Sequence, residues 1–345
     1  MFNFYSFKND YGEGAHPKLL EALAKASCEQ NIAYGNDVHS EHARNLIRER
    51  IGCPDADIHF LEGGTQTNLI AISAFLRPHE AAIAAETGHI NTHETGAVEA
   101  TGHKILTCTA QDGKLTAHDV ERIVALHPDE HVVKPKLVYI SDSTEIGTIY
   151  SKSELSDLHR VCKQYDLYLY LDGARLGSAL TSSENDLTMQ KIAEWTDAFY
   201  IGGTKNGALL GEALVIRNPA LKDGFRYILK QKGAMLAKGM VLGAQFERFF
   251  EDDLYFELAA HANKMALRLY QAIKDAGFHF LSPSSTNQIF PVLPNQLVEQ
   301  LSEHYAFEIW DRPTEGETAI RLVTSWATPE DAVGCFIDDF NRLTH

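Results

Sequence analysis

Short apolar runs of strand length alternate with stretches whose apolar residues recur every three or four positions through most of this chain. Strand-like runs at 58–61, 81–85, 104–107, 136–141, 167–172, 199–202 and 213–217 are separated by helical patterns, among them 18–25, 40–51, 66–76, 116–126 and 153–165. Leu69, Ile70, Ile72 and Phe75 mark the apolar face of one predicted helix, and Leu19, Leu20 and Leu23 that of another. Runs that are apolar throughout, with helices between them, predict a mixed or parallel sheet covered by helices. The stretch 225–250 changes character, being basic at first (Arg226, Lys230, Lys232, Lys238) and helical afterwards. Beyond it the pattern reads helix 256–276, strand 288–293, helix 295–304, strand 320–324 and helix 329–343. The expected architecture is therefore α/β in two parts: an N-terminal arm and large domain over 1–240, and a smaller C-terminal α/β domain over 241–345.

Composition narrows the class of partner. A formal charge of −16 disfavours a polyanion such as nucleic acid, because binding there is driven largely by neutralising phosphates. Any phosphate this protein holds must be held locally. No apolar run approaches the roughly 20 residues that span a bilayer, and no basic-plus-apolar leader opens the chain, so no membrane partner is expected. The five cysteines, Cys28, Cys53, Cys108, Cys162 and Cys335, form no CxxC pair, and an odd count suits reduced thiols. These features lead us to expect a soluble, cytoplasmic protein acting on a small molecule.

Two strand-like runs end on chemistry. The first stops at Asp172-Gly-Ala-Arg175 and the second at Gly203-Thr204-Lys205-Asn-Gly. Open parallel sheets keep their ligand sites at the carboxyl ends of strands. An acid on one strand end and a lysine on the next suit pyridoxal 5'-phosphate (PLP): the amine carries the cofactor, and the carboxylate keeps the pyridine nitrogen protonated so that the ring accepts electrons. Further upstream the strand at 58–61 runs into Glu62-Gly63-Gly64-Thr65 and then a helix. Backbone amides in such a turn, at the positive end of a helix, form a cradle for a phosphate. His89 and His93 are spaced to share a helical face, with Glu94 or His103 as the nearest further ligands, but no complete ligand set follows and no metal is expected.

With these residues in view, the chain resembles the low-specificity L-threonine aldolase branch of the β-eliminating lyases, which are PLP enzymes of the aspartate-aminotransferase-like fold type I. The resemblance rests on Tyr34-Gly-Asn-Asp, Phe60-Leu-Glu-Gly-Gly-Thr-Gln-Thr-Asn-Leu, Gly88-His89 leading to His93-Glu94-Thr-Gly, Asp172-Gly-Ala-Arg175, Thr204-Lys205-Asn-Gly and Ile320-Arg321-Leu-Val-Thr-Ser, in that order over nearly the whole length. The Thr-Lys-Asn-Gly form and the segment 143–150 look closest to a subgroup that includes phenylserine aldolases. The fold implied is a large domain with a mostly parallel sheet of the seven-stranded type, plus the small C-terminal domain.

Carried over residue by residue, the resemblance implies that Lys205 bears the cofactor, that Asp172 partners its ring nitrogen and that His89 lies against its face. Gly63, Gly64 and Thr65 would hold the phosphate by their main chain, with the Thr204 hydroxyl as an addition. Arg175 and Arg321 would hold the substrate carboxylate, a task for which the planar guanidinium fork is suited. Tyr34 falls among the implied substrate-binding residues. Lys232 and Lys238 would reach a neighbouring subunit's site, so a homodimer, or a tetramer of two dimers, is expected. Two departures stand out: Glu145 occupies a place where many threonine aldolases carry a histidine, and Asn9 one where a carboxylate-contacting serine is expected. The implied reaction is aldol cleavage of threonine, allo-threonine or a related β-hydroxy-α-amino acid to glycine and an aldehyde, with His89, Glu145 or a water taking the hydroxyl proton. The same site also suits β-elimination or transamination.

Overall fold

A computed structural model describes residues 4–110 and 112–344. After a two-residue strand in the N-terminal arm, β1 (Tyr5–Ser6), the central sheet is built from β2 (Asp57–Leu61), β3 (Glu80–Ala85), β4 (Ile105–Cys108), β5 (Lys134–Ser141), β6 (Tyr168–Asp172), β7 (Ala198–Gly202) and β8 (Glu212–Ile216). Their spatial order is β2-β8-β7-β6-β5-β3-β4. Only β8 runs against its neighbours; the other pairings in this sheet are parallel.

Side chains alternate between two cores. On β5, Val138 and Ile140 enter one apolar cluster and Leu137 and Tyr139 the other; on β7, Phe199 and Ile201 divide from Ala198 and Tyr200 in the same way. Helices Val38–Ile51, Lys152–Gln164 and Met240–Glu251 contribute to the first cluster, while Gly64–Phe75 and Phe225–Gln231 contribute to the second. A sheet covered on both faces has no polar face, which is why its strands read as unbroken apolar runs.

The C-terminal part adds β9 (Gln288–Ile289), β10 (Val292–Pro294), β11 (Tyr305–Ala306), β12 (Glu308–Thr314) and β13 (Glu317–Val323). β13 pairs antiparallel with β9, β10 and β12, and β11 takes β1 of the arm as a parallel partner. The single strand expected over 288–293 is thus two short ones, divided by the Phe290-Pro291 pair; proline offers no N–H to a ladder. β12 is an edge strand, largely exposed and carrying Pro313, so its sequence lacks the alternation that marks a half-buried strand.

The division expected at 240/241 falls at the start of a helix whose Leu242, Phe246, Phe249 and Phe250 lie in the large-domain core. Along the next helix, Leu254–Asp275, Leu254 and Leu258 belong to that core, while Met265, Leu269 and Ile273 belong to the C-terminal one. Phe7 of the arm is also buried in the C-terminal core, edge-on to Phe336 at 5.6 Å. Among the described residues no helix is long and apolar enough to cross a membrane.

Candidate active site

The carboxyl ends of β2, β5, β6 and β7 open into a cleft of about 870 Å³ between the large sheet and the C-terminal strands. Asp172 is the last residue of β6, and Lys205 lies in the turn after β7, the next strand over. Their closeness depends on two glycines. A Cβ on Gly173 would lie 1.9 Å from the Tyr200 carbonyl oxygen, and one on Gly202 would lie 2.4 Å from that of Ala174. Only hydrogen fits at either position, and the Gly202 N–H donates to the Gly173 carbonyl at 2.9 Å.

Asp172 is 3% exposed. Its Oδ2 accepts from Tyr139 Oη at 2.6 Å and Asn68 Nδ2 at 2.8 Å, and its Oδ1 accepts from the Ala174 N–H at 3.0 Å. Burial works against the charge, but His89 and the hydrogen bonds from Tyr139, Tyr200 and Asn68 outweigh it and hold the carboxyl below its ordinary range. Lys205 moves the other way relative to its own norm: burial and the Arg175 guanidinium push its ammonium below the usual lysine range, against Asp10, Asp172 and Glu212. An amine less strongly protonated is a better nucleophile.

His89 begins the short helix His89–Thr92, and its Nδ1 meets Glu94 Oε1 at 2.7 Å. The same oxygen accepts from Asn68 Nδ2, which also donates to Asp172. On the other side, Glu145 Oε1 accepts from the His89 N–H at 2.9 Å and from Ser141 Oγ at 2.7 Å, and Ser141 Oγ reaches Tyr139 Oη at 3.2 Å. A closed circuit of hydrogen bonds therefore ties His89 to Asp172 by two routes. Burial raises the carboxyls of both Glu94 and Glu145.

Arg175 gives a fork to Asp10, Nε to Oδ2 at 2.7 Å and Nη2 to Oδ1 at 3.0 Å, and Asn287 Nδ2 adds a third donor to that acid at 2.9 Å. It lines the cleft, but the free bidentate fork expected of it is taken by Asp10. Arg321 lies across from it with its guanidinium 5.1 Å from the Trp310 ring and its Nε without a hydrogen-bond partner among the described residues. Burial and the neighbouring Arg175 both depress the Arg321 pKa. Two guanidinium groups facing one space favour an anion between them.

Gly63, Gly64 and Thr65 line the same cleft, at the start of the helix Gly64–Phe75. Thr204 does too, with its Oγ1 accepting the Gly211 N–H at 3.0 Å and bonding to Glu212. Asn9 is not among the lining residues: its Oδ1 closes a local turn by accepting the Tyr11 N–H at 3.1 Å, and Tyr11 faces the cleft in its stead. Tyr34, Lys232 and Lys238 lie outside this chain's cleft. Lys232 and Lys238 are exposed, and Tyr34 forms a loop contact through its N–H to the Ala237 carbonyl at 3.1 Å. His103 is turned to the Glu80 carbonyl at the opposite end of β3.

Sequence reading alone passed over several groups gathered here: Asn68 and the three tyrosines at 139, 170 and 200 around Asp172, Asp10 beneath Arg175, Trp310, and Glu212, whose carboxyl burial pushes up to about 8. Glu212 sits opposite Gly202 in the β7–β8 ladder, and its Oε2 accepts the Gly203 N–H at 3.0 Å. An acid inside an apolar strand was the signal available for it.

Fold, cleft and the paired acid and lysine define a lyase of the β-eliminating lyase family, to which this chain belongs: the family's model matches residues 11–295. Among relatives, the low specificity L-threonine aldolase of Pseudomonas aeruginosa is 32% identical over 95% of this chain and 94% of its own. The solved structure of Leishmania major threonine aldolase superposes with a TM-score of 0.98 at 50% identity, covering 99% of this chain and 100% of that one. An aspartate aminotransferase from Thermus thermophilus, at 14% identity and a TM-score of 0.73 over 99% of this chain and 92% of its own, shares the fold.

Proposed function

We propose that this protein uses pyridoxal 5'-phosphate to cleave L-threonine, allo-threonine or a related β-hydroxy-α-amino acid to glycine and an aldehyde. One observation carries the reading: a buried carboxylate held charged and a buried lysine held below its usual basicity terminate adjacent strands in one cleft. The residues fit the cofactor. Among the described residues, a Cβ on Gly63 would meet nothing within 4 Å, leaving the turn open to an incoming group, and Thr87 Oγ1 and Ser143 Oγ are buried at the cleft without a hydrogen-bond partner. When bound, PLP supplies the electron sink that lets a carbon–carbon bond beside an amino carbon break.

The chain's own residues divide the remaining work. Lys205 anchors the cofactor by its amine, and Asp172, held charged in the cleft, offers its carboxylate to the ring nitrogen. The substrate carboxylate belongs between Arg321 and the remaining Nη1 of Arg175, with Asp10 fixing the latter in place. His89 and Glu145 handle the hydroxyl proton: Glu94 occupies His89 Nδ1, so Nε2 is the nitrogen left for transfer, and Glu145 braces the His89 backbone. Main-chain N–H groups of Gly63, Gly64 and Thr65 receive the phosphate.

That phosphate wants a cation. Among the described residues the Lys and Arg side chains lining the cleft are Lys205, Arg175 and Arg321, and each already has a part in holding the cofactor ring or the substrate carboxylate. Lys232 and Lys238 of a second subunit are the residues we assign to that need, which makes the working unit at least a homodimer.

The test is to incubate purified enzyme with threonine and with phenylserine and to measure aldehyde and glycine together. Equal yields of the two, with a visible-band change on adding glycine alone, are expected. Keto acid or ammonia as the main product would replace this reading with transamination or β-elimination.

A further inference from the structure

Outside the cleft, the helices Val38–Ile51 and Met240–Glu251 cross almost in backbone contact. A Cβ on Gly243 would lie 2.6 Å from both the Ser40 Cα and the Ser40 nitrogen. His39 and His42 flank Ser40 on one helix, and Glu247 and Glu251 follow Gly243 by one and two turns on the other. The crossing therefore delivers two imidazoles and two carboxylates to one spot. His39 Nδ1 and His42 Nδ1 approach different oxygens of Glu247, at 2.5 and 2.7 Å, and His39 Nε2 meets Glu29 at 2.8 Å. One ligand atom each from His42, Glu247 and Glu251 lies within 4.8 Å of the others.

We propose that this junction is a binding site for a divalent transition-metal ion of the zinc class, with His42, Glu247 and Glu251 as ligands and His39 as the adjoining imidazole. Mixed imidazole and carboxylate donors suit zinc, whereas magnesium and calcium favour oxygen alone and the softer ions favour thiolate. Ligand atoms around tetrahedral zinc stand roughly 3.3 Å apart. His42 and Glu251 are exposed and stand on two clamped helices, so rotation of their side chains, with the backbone fixed, is what the proposal requires to close that gap.

His39 touches carboxylates with both ring nitrogens, Glu247 on one side and Glu29 on the other. Lys18, Lys25 and Arg248 face the same groove, with Glu21 beside them; Arg248 is engaged by Asp252 at 2.7 Å and stands 3.5 Å from Glu251 Oε2, a contact the metal would replace. Metal binding must expel imidazole protons, so it releases protons and strengthens as pH rises. The site would also brace the loop contact between Tyr34 and Ala237, since the two helices start just after those residues.

Titrating the cofactor-loaded enzyme with Co²⁺ tests the proposal. Expected are cobalt d–d bands, their loss on adding Zn²⁺, and a thermal midpoint that rises by several degrees with zinc in excess. His42→Ala and Glu251→Gln should each weaken zinc binding by about tenfold or more. Both should leave amino-acid cleavage unchanged, and zinc affinity in the parent should grow from pH 5.5 to 7.5. Cys28→Ser, which removes an exposed thiol, should change nothing. Absence of cobalt bands and of any thermal shift overturns the site. So does binding that survives in the His42→Ala, Glu251→Gln double variant or disappears with Cys28.

Discussion

Asp172 keeps its charge where burial alone would remove it, because His89 stands near and an amide, two phenols and a backbone N–H donate to it. Replacing it by asparagine keeps the shape and removes the anion. Asp172→Asn is expected to fold, and to lower turnover by roughly a thousandfold or more, checked by aldehyde release at saturating substrate. Lys205→Ala should abolish cleavage and leave no borohydride-reducible adduct in the protein; an adduct that persists means another lysine carries the cofactor. Asp142 makes a prediction about stability. Burial pushes its carboxyl up to about 7, so between its unfolded value and that figure the folded chain holds a proton that the unfolded chain has released. Its contribution is complete below about pH 4 and is lost as pH rises through about 7, a span of the order of a few kcal/mol. Urea midpoints of the cofactor-free protein should therefore fall between pH 5 and 8, and Asp142→Asn should flatten that fall.

At the scale of elements, the join between β6 and β7 sets the distance from acid to lysine. Gly173→Ala forces a methyl into the Tyr200 carbonyl, and either the strands part or Asp172 leaves its donors. A loss of about 3 kcal/mol or more is expected, read as a lower denaturant midpoint even without cofactor. Sequence pattern carried the large sheet well because strands covered on both faces announce themselves as apolar runs, and it carried Asp172, Lys205 and the Gly63–Thr65 turn because each stands where such a run stops. It did not carry β12, whose exposed edge has no periodicity, nor the break at Pro291. It also could not show that Arg175 is clasped by Asp10, since those residues come together only when the arm crosses the sheet. The His39, His42, Glu247 and Glu251 cluster was hidden for the same reason: two unremarkable pairs on separate helices become one group only at the Gly243 crossing.

For the whole molecule, the exposed Lys232 and Lys238 make a prediction about assembly. Lys238→Ala and Lys232→Ala are each to be mixed with Lys205→Ala under conditions of subunit exchange. A shared site restores activity to a mixture of two inactive parents, because one hybrid site receives both intact contributions. If either lysine variant alone cleaves threonine normally, that lysine has no place in its neighbour's site. The arm adds a consequence in time. Tyr5 and Ser6 pair with Tyr305 and Ala306, Phe7 packs on Phe336, and Asp10 locks Arg175. The arm's strand can therefore dock only after the segment around Tyr305 has been made. A chain cut short of the C-terminal core can form its large sheet but must leave Phe7 exposed, so the arm settles over the cleft only after that core has formed.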